Sequence, residues 1–327
     1  MAITVADFNA LTDDLQTIFN EASRNAIAEM KGQTFFDVKD TDRRTYDHLV
    51  LHGMAGIERV AEGSDLPALS TVQGDNITYT QKRYGALVSV TKDMRKFDLH
   101  DQIQSIVKSV AQDGFDKVDQ SMADVLSHGF STTYTDVYGD TETATCTDGL
   151  ALFSAVHNNN INGSTFSNII SDSASTVNPA LSRDAIVTAI KVGKVFQDPN
   201  SIVRPIRLDT LLITPTNEDL AERLILSNQM SGTGNNDTNP LRGKVNIQVW
   251  ERLESTGGGT SRSNYWYMLD SSKVKESLKT LFAERPSLDA PEMVYKNKNW
   301  DYSVDYYYTL GRGFPAYIRA SKGTNAA

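Results

Sequence analysis

The stretch 98–129, DLHDQIQSIVKSVAQDGFDKVDQSMADVLSHG, carries the strongest periodic pattern in the chain. Its apolar residues recur at helical spacing and fall on one helix face, namely Leu99, Ile103, Ile106, Val110, Val118, Met122 and Val125. Asp98 favours a helix start and Gly129 is suited to a helix end. At 1.5 Å rise per residue, the pattern predicts a helix roughly 45 Å long on which other elements pack.

A second amphipathic helix is predicted near the N-terminus, ending at about Lys31-Gly32. Its apolar face is formed by Phe8, Leu11, Leu15, Ile18, Phe19, Ala22 and Ala26. Because this helix lies in a terminal arm, we expect its apolar face to pack on a neighbouring subunit.

Extended structure is predicted on both sides of the long helix. Before it, the turn-rich stretch 61–68 precedes two β-rich runs around Gly85, which predict a long two-stranded excursion. After it, residues 182–269 alternate helical and strand patterns and predict a compact α/β unit. Residues 300–309 predict a strand that pairs with a second strand across the turn at 311–313.

Composition limits the class of protein. The 327 residues carry a net charge of −9, which disfavours a protein whose main task is to grip a nucleic-acid backbone. The single cysteine, Cys146, excludes an intrachain disulfide and a cysteine zinc cluster, and a reducing compartment is expected. No apolar run approaches the ~18–20 residues of a membrane span, and no signal peptide is evident. These features predict a soluble intracellular α+β protein of two or more domains.

Candidate chemistry is weak. His48 and His52 would share one face of a helix, but Leu49 stands where a zinc peptidase needs Glu and no third ligand is in view. Cys146, Asp148 and His157 supply the side-chain types of a thiol nucleophile and its base, but proximity in sequence does not supply the geometry. We therefore predict no catalytic residue, no cofactor and no metal site. A metal-dependent hydrolase built around the two histidines remains an alternative.

The order of several stretches along the chain resembles that of a known family. These stretches are 61–67 with 84–93, 98–129, 148–158, 211–221 and 300–319. In this order they resemble the major capsid proteins of tailed phages, and the stretch 148–158 is similar to a signature of the Mu-type major head subunits. The resemblance implies an α+β capsid fold with an N-terminal arm, an extended β-hairpin loop, a long spine helix, a peripheral domain and an axial domain.

The implied domain boundaries are 1–45 for the N-terminal arm, 46–95 for the extended loop hairpin, 96–180 for the peripheral domain with the spine helix, 181–290 for the axial domain, and 291–327 for the closing peripheral strands and the C-terminus. The implied intersubunit contacts lie on the arm and the loop, at Phe8, Leu11, Leu15, Ile18, Glu62, Asp65, Leu66 and Pro67.

The resemblance also implies a function. Hexamers and pentamers of one subunit would form an icosahedral head around double-stranded DNA, in a virion assembled in the bacterial host cytoplasm. Expected partners are a separate scaffolding protein, a portal and decoration proteins, with only weak non-specific contact to the DNA. A cellular nanocompartment shell of the same fold, enclosing protein cargo, is the second reading.

Overall fold

The chain is described here from a computed structural model, which covers residues 5–52, 59–60, 62–63, 65, 72–97, 100–158, 165–198, 202–229, 237–254, 262–294 and 296–324. It divides into two compact units, each assembled from three separate stretches of sequence. The first unit comprises Met1–Tyr46, Tyr79–Met122 and Thr280–Gly311, and the second comprises Asp47–Thr78, Ala123–Lys279 and Arg312–Ala327. The predicted domain boundaries stay predictions.

The α-helices are α1 Val5–Glu29, α2 Gly32–Phe35, α3 Lys92–Lys96, α4 His100–Ser127, α5 Arg183–Lys194, α6 Glu218–Ile225 and α7 Val274–Ser277. The strands are β1 Asp37–Asp40, β2 Thr45–His52, β3 Val72–Thr80, β4 Lys82–Val90, β5 Thr133–Thr135, β6 Thr141–Thr143, β7 His157–Asn158, β8 Thr165–Phe166, β9 Thr210–Ile213, β10 Asn246–Val249, β11 Trp266–Leu269, β12 Leu278–Leu288, β13 Glu292–Val294, β14 Asn299–Arg312 and β15 Ile318–Ser321. Short 3-10 helices occupy Pro215–Asn217, Glu251–Glu254 and Pro315–Tyr317. No described helix is both long and apolar enough to cross a bilayer.

Helix α4 confirms the long helix predicted over 98–129. Its buried face includes Val107 and Ala111, whereas the predicted core residue Ile106 is 38% exposed. The buried face of this part of the helix is therefore rotated slightly from the predicted apolar stripe. Nearer the C-terminal end, Val118 and Met122 are fully buried as expected.

The first unit contains a five-stranded sheet in the order β1-β12-β14-β13, with β4 also paired to β14. The antiparallel register of β14 and β4 runs from Trp300 opposite Val90 to Tyr308 opposite Lys82. The predicted hairpin about Gly85 is wrong, because Gly85 lies inside β4 opposite Asp305. A Cβ atom at Gly85 would collide with the Asp305 side chain, so this glycine marks a close approach of two strands and not a turn.

Strand β3, which precedes β4, pairs instead with β2 in a separate two-stranded sheet. This pair lies within the region predicted as the extended loop hairpin, 46–95. The sequence of β2, TYDHLVLH, mixes polar and apolar residues, and our sequence reading did not identify it as a strand.

The second unit is built on a four-stranded sheet in the order β10-β9-β11-β15. Strands β9 and β10 are parallel, and β11 runs antiparallel to both β9 and β15. Helix α5, capped by the Ser182 hydroxyl, which accepts from the Ala185 amide, contributes buried residues to the core of this unit. The indole of Trp266 donates a hydrogen bond to the carbonyl of Pro179 at 3.0 Å.

The predicted strand pairing across 311–313 is wrong. Strand β14 continues through Gly311, where a Cβ atom would lie 2.9 Å from the ring of Tyr79. The glycine therefore serves close packing and does not form a turn. Beyond it, the Pro315–Tyr317 helical turn leads to β15, which belongs to the sheet of the second unit.

Candidate assembly surfaces and an internal polar network

Four described residues of the apolar face of α1 are buried within their own chain. Leu15 and Phe19 are each 1% exposed, and Ala22 and Ala26 are also buried. In this conformation Leu15 is buried within the single chain, and its intersubunit contact stays a prediction. Ile18 is half-buried and its intersubunit contact stays a prediction. The side chains of the other two predicted arm contacts, Phe8 and Leu11, lie outside the described residues.

A buried hydrogen bond fixes the segment that follows α1. The amide of Gly32, at the start of α2, donates to Oδ1 of Asp119 on α4 at 2.8 Å. Asp119 is only 3% exposed, and Phe35 and Phe36 beside this contact are buried as well. Since a buried carboxylate needs such donors, the contact ties the arm to the spine helix inside the first unit.

The predicted contacts of the loop lie partly within the described residues. Glu62 and Asp65 are exposed, as an intersubunit role requires, whereas Leu66 and Pro67 lie outside the described part. The pair of strands leading to this loop is joined by a hydrogen bond from the Thr78 hydroxyl to Asp47 at 2.5 Å. The role of the loop in assembly stays a prediction.

Large apolar side chains on the surface offer further contact area. In the first unit, Leu87 is 64% and Phe97 is 69% exposed, and in the second unit Val195 is 61% exposed. The sequence pattern did not predict these exposed residues, because helical and strand periodicity marks apolar residues that face a core. Leu87 could have been found, because it points away from the strand face on which Val88 and Val90 are buried.

The two histidines of the hydrolase alternative lie on strand β2 and not on a helix. The Lys279 ammonium lies 3.0 Å from Nδ1 of His48, and because it can only donate, that ring nitrogen accepts its hydrogen bond. Among the described residues, no group of three potential ligands could hold a metal ion. The geometry gives the hydrolase alternative no support.

Asp148 and His157 meet in the interior of the second unit. Nδ1 of His157 lies 2.7 Å from Oδ2 of Asp148, and Nε2 lies 3.1 Å from the carbonyl of Leu152. A carboxylate and a carbonyl can only accept, so both ring nitrogens face acceptors and are placed to donate. The His157 side chain is completely buried, which makes this an internal ion pair.

Asn168 extends this network to a distant part of the chain. Its Nδ2 donates to the carbonyls of Leu152, at 2.7 Å, and Pro315, at 3.2 Å. Its Oδ1 accepts from the amide of Ser154 at 2.9 Å. One buried amide therefore joins the segment around Leu152 to Pro315, which is distant in sequence.

The nucleophile alternative is not supported by this geometry. Cys146 is fully buried, and burial raises the pKa of its thiol, so the reactive thiolate is disfavoured. The ring nitrogens of His157 are engaged by Asp148 and Leu152. The residues that the sequence placed close together thus form a structural network.

Comparison with known proteins agrees with this architecture. The capsid of Myoviridae phage XM1 is similar over 88% of this chain and 90% of that chain, with a TM-score of 0.53 and 13% identity. The capsid of an empty GTA particle is similar over 89% of both chains, with a TM-score of 0.54 and 12% identity. The capsid of Ralstonia phage GP4 covers 85% of this chain and 81% of its own, with a TM-score of 0.52 and 11% identity.

At these identities the structural likeness shows the fold, which is that of tailed-phage capsid proteins. Among the curated proteins no sequence matches significantly. The sequence profile of the phage capsid protein family matches residues 75–319, which is three quarters of the chain. This chain, with its long spine helix and its two interleaved units, belongs to the phage capsid protein family.

Proposed function

We propose that this protein is the major capsid subunit of a tailed phage, and that hexamers and pentamers of it close into an icosahedral head around double-stranded DNA. The family match over residues 75–319 carries the proposal. A separate scaffolding protein, a portal and decoration proteins are the partners that such a head needs. Host cytoplasm is the proposed place of assembly.

Two properties of the chain support a shell subunit. Large apolar side chains such as Leu87 and Phe97 are exposed on the single chain, and contact with a neighbour would remove them from water. The net charge of −9 suits a container, because a uniformly basic inner surface would hold DNA too tightly for filling and release.

The direct test is to express the full chain, with and without candidate scaffolding proteins from the same genome, and to image the products by negative-stain and cryo-electron microscopy. We expect closed particles with five-fold and six-fold capsomers. A chain that stays monomeric under all of these conditions would contradict the proposal. Protein cargo in native particles, in place of DNA, would instead favour a nanocompartment.

Shell contacts are expected to resist salt. Emptied particles should stay closed in about 1 M sodium chloride, where the Debye length falls to about 3 Å, because burial of apolar surface is not screened. Light scattering and microscopy after DNA release would measure this. If the particles dissociate when DNA leaves and re-form only when DNA returns, then DNA is the template and the charge argument is wrong.

A further inference from the structure

A cavity of about 360 Å³ lies in the second unit, between the C-terminal half of α5 and residues 165–171. Its volume falls within the ~300–1,000 Å³ typical of ligand sites. The polar residues Ser167 and Ser171 and the apolar residues Val192 and Val195 are among those that line it. The site therefore combines apolar walls with polar groups, as binding pockets do.

Arg319, on β15, also lines this cavity. It is only 4% exposed, and no described residue accepts a hydrogen bond from its Nε. Burial lowers the pKa of its guanidinium to about 10, so the group is still charged at neutral pH. A buried guanidinium nitrogen without an acceptor is costly, and proteins ordinarily pair a buried guanidinium with an acid.

The acid that shares the cavity is already engaged. The carboxylate of Asp198 accepts from the amide of Ile202 at 2.9 Å and from Nε of Arg204 at 3.1 Å. Elsewhere in the chain, Arg285 forms a two-pronged pair with Asp40, at 2.9 and 3.1 Å. Arg319 differs from Arg285 in being buried and in facing a cavity where a carboxylate would fit.

We propose that this cavity receives a carboxylate side chain, Asp or Glu, from a second copy of this chain, and that Arg319 binds it. The lining supports a protein partner, because its residue Val195 is 61% exposed and would be covered by a neighbour's apolar atoms. The supply of carboxylates is ample, since the chain has 41 acidic residues against 32 basic ones.

A DNA phosphate fits the cavity poorly. The guanidinium is recessed, with 4% of the residue exposed, and the rigid duplex backbone has no side arm that could enter. The apolar walls match the methylene groups of an acidic side chain better than they match a phosphate. This inference rests on the proposed function, because it names one contact through which copies of the subunit would associate.

The test compares Arg319→Met, which keeps much of the side-chain volume and removes the charge, with Lys194→Met as the matched control. Lys194 is an exposed cation at the end of α5, outside the cavity lining. We expect Arg319→Met to fold and to melt at the wild-type temperature or above it, because an unpaired buried charge is gone. Its threshold concentration for assembly should rise at least tenfold, since charged hydrogen bonds are among the strongest.

The control variant should assemble like the wild type. The threshold concentration of Arg319→Lys should lie between those of the wild type and Arg319→Met, because an ammonium keeps the charge but lacks the two-pronged geometry. Assembly of Arg319→Met at the wild-type concentration would overturn the proposal. A melting temperature several degrees below wild type in the unassembled variant would overturn it as well, since Arg319 would then serve its own subunit.

A second measurement keeps the test independent of assembly. The unassembled subunit is melted in sodium acetate, in inorganic phosphate and in sodium chloride of equal ionic strength, and its binding to a short DNA duplex is measured by anisotropy. We expect acetate to stabilise the wild type and not Arg319→Met. Stabilisation by phosphate alone, or duplex binding that depends on Arg319, would overturn a carboxylate site. If the wild type binds acetate through Arg319 but does not assemble, the proposed function fails and the carboxylate pocket remains.

Discussion

Replacing Asp148 by Asn is expected to lower the free energy of unfolding by about 3–5 kcal/mol, the usual cost of removing one partner from a buried ion pair. His157 is completely buried, and the substitution removes the carboxylate charge that strengthens the hydrogen bond at its Nδ1. An amide in that place forms only a neutral hydrogen bond with the ring, and an NH2 group that faces the ring cannot accept from the Asn158 amide as the carboxylate does. Denaturant unfolding of the subunit at neutral pH would measure the loss.

The matched control is Asp305→Asn. Asp305 also forms an ion pair, with Arg83, but that guanidinium is exposed to solvent. Little change in stability is expected there, because exposed pairs are screened by water. If both variants lose the same free energy of unfolding, burial does not make the Asp148–His157 pair more stabilising than an exposed pair.

The effect of Asp148 should depend on pH. Burial raises the pKa of its carboxyl group, but the hydrogen bond and charge of His157, with the amides of Leu150 and Asn158, outweigh it, and the pKa falls below its ordinary 3.8. A carboxyl with a lowered pKa stabilises the fold above its unfolded pKa, and the contribution is lost as the pH falls through the folded value. The difference between wild type and Asp148→Asn should therefore shrink below pH 3.8. A difference that stays constant down to pH 2 would contradict this account.

Phe19→Ala is expected to destabilise the unassembled subunit by about 3–5 kcal/mol, the range for truncating a buried aromatic side chain. Phe19 is 1% exposed on the isolated chain, so its removal leaves a cavity inside the subunit. Asn20→Ala, at the neighbouring exposed position, is the control. Denaturant unfolding of both variants gives the comparison.

The same variant separates two roles for α1. If Phe19→Ala leaves the unassembled subunit unchanged and only prevents shell formation, then α1 packs on a neighbour and the burial seen within one chain does not persist. If it destabilises the subunit before assembly, Phe19 packs within its own chain, in line with its burial there.

The elements that the sequence could predict are those with a regular pattern of apolar residues. Helix α4 has apolar residues at helical spacing, and β9, β10 and β11 lie within apolar or alternating runs that predicted strands, so pattern and structure largely coincide there. The strand partners were not predictable in the same way. Gly85 and Gly311 suggested turns, but both are small because another chain segment passes close to them. That information lies in the partner segment and not in the local sequence.

The internal sites illustrate the same limit. Asp148 and His157 are nine residues apart and could be noticed as a pair, although not as a buried ion pair. Arg319 gave no signal, because nothing in its neighbours along the chain shows that β15 places it beside residues 165–171 and α5. Burial of a charge is a property of the tertiary structure.

The interleaved composition of the two units has a consequence for synthesis on the ribosome. The first unit joins α1 to strands after residue 279, and the second is completed by β15. At roughly 5–20 residues per second, roughly 15–60 s separate the synthesis of α1 from that of β15. During this interval the apolar face of α1 lacks part of its unit, and nascent chains in that state aggregate or bind chaperones. Incomplete subunits on the same messenger RNA can therefore associate too early. A subunit that can assemble exists only after β15 has been synthesised.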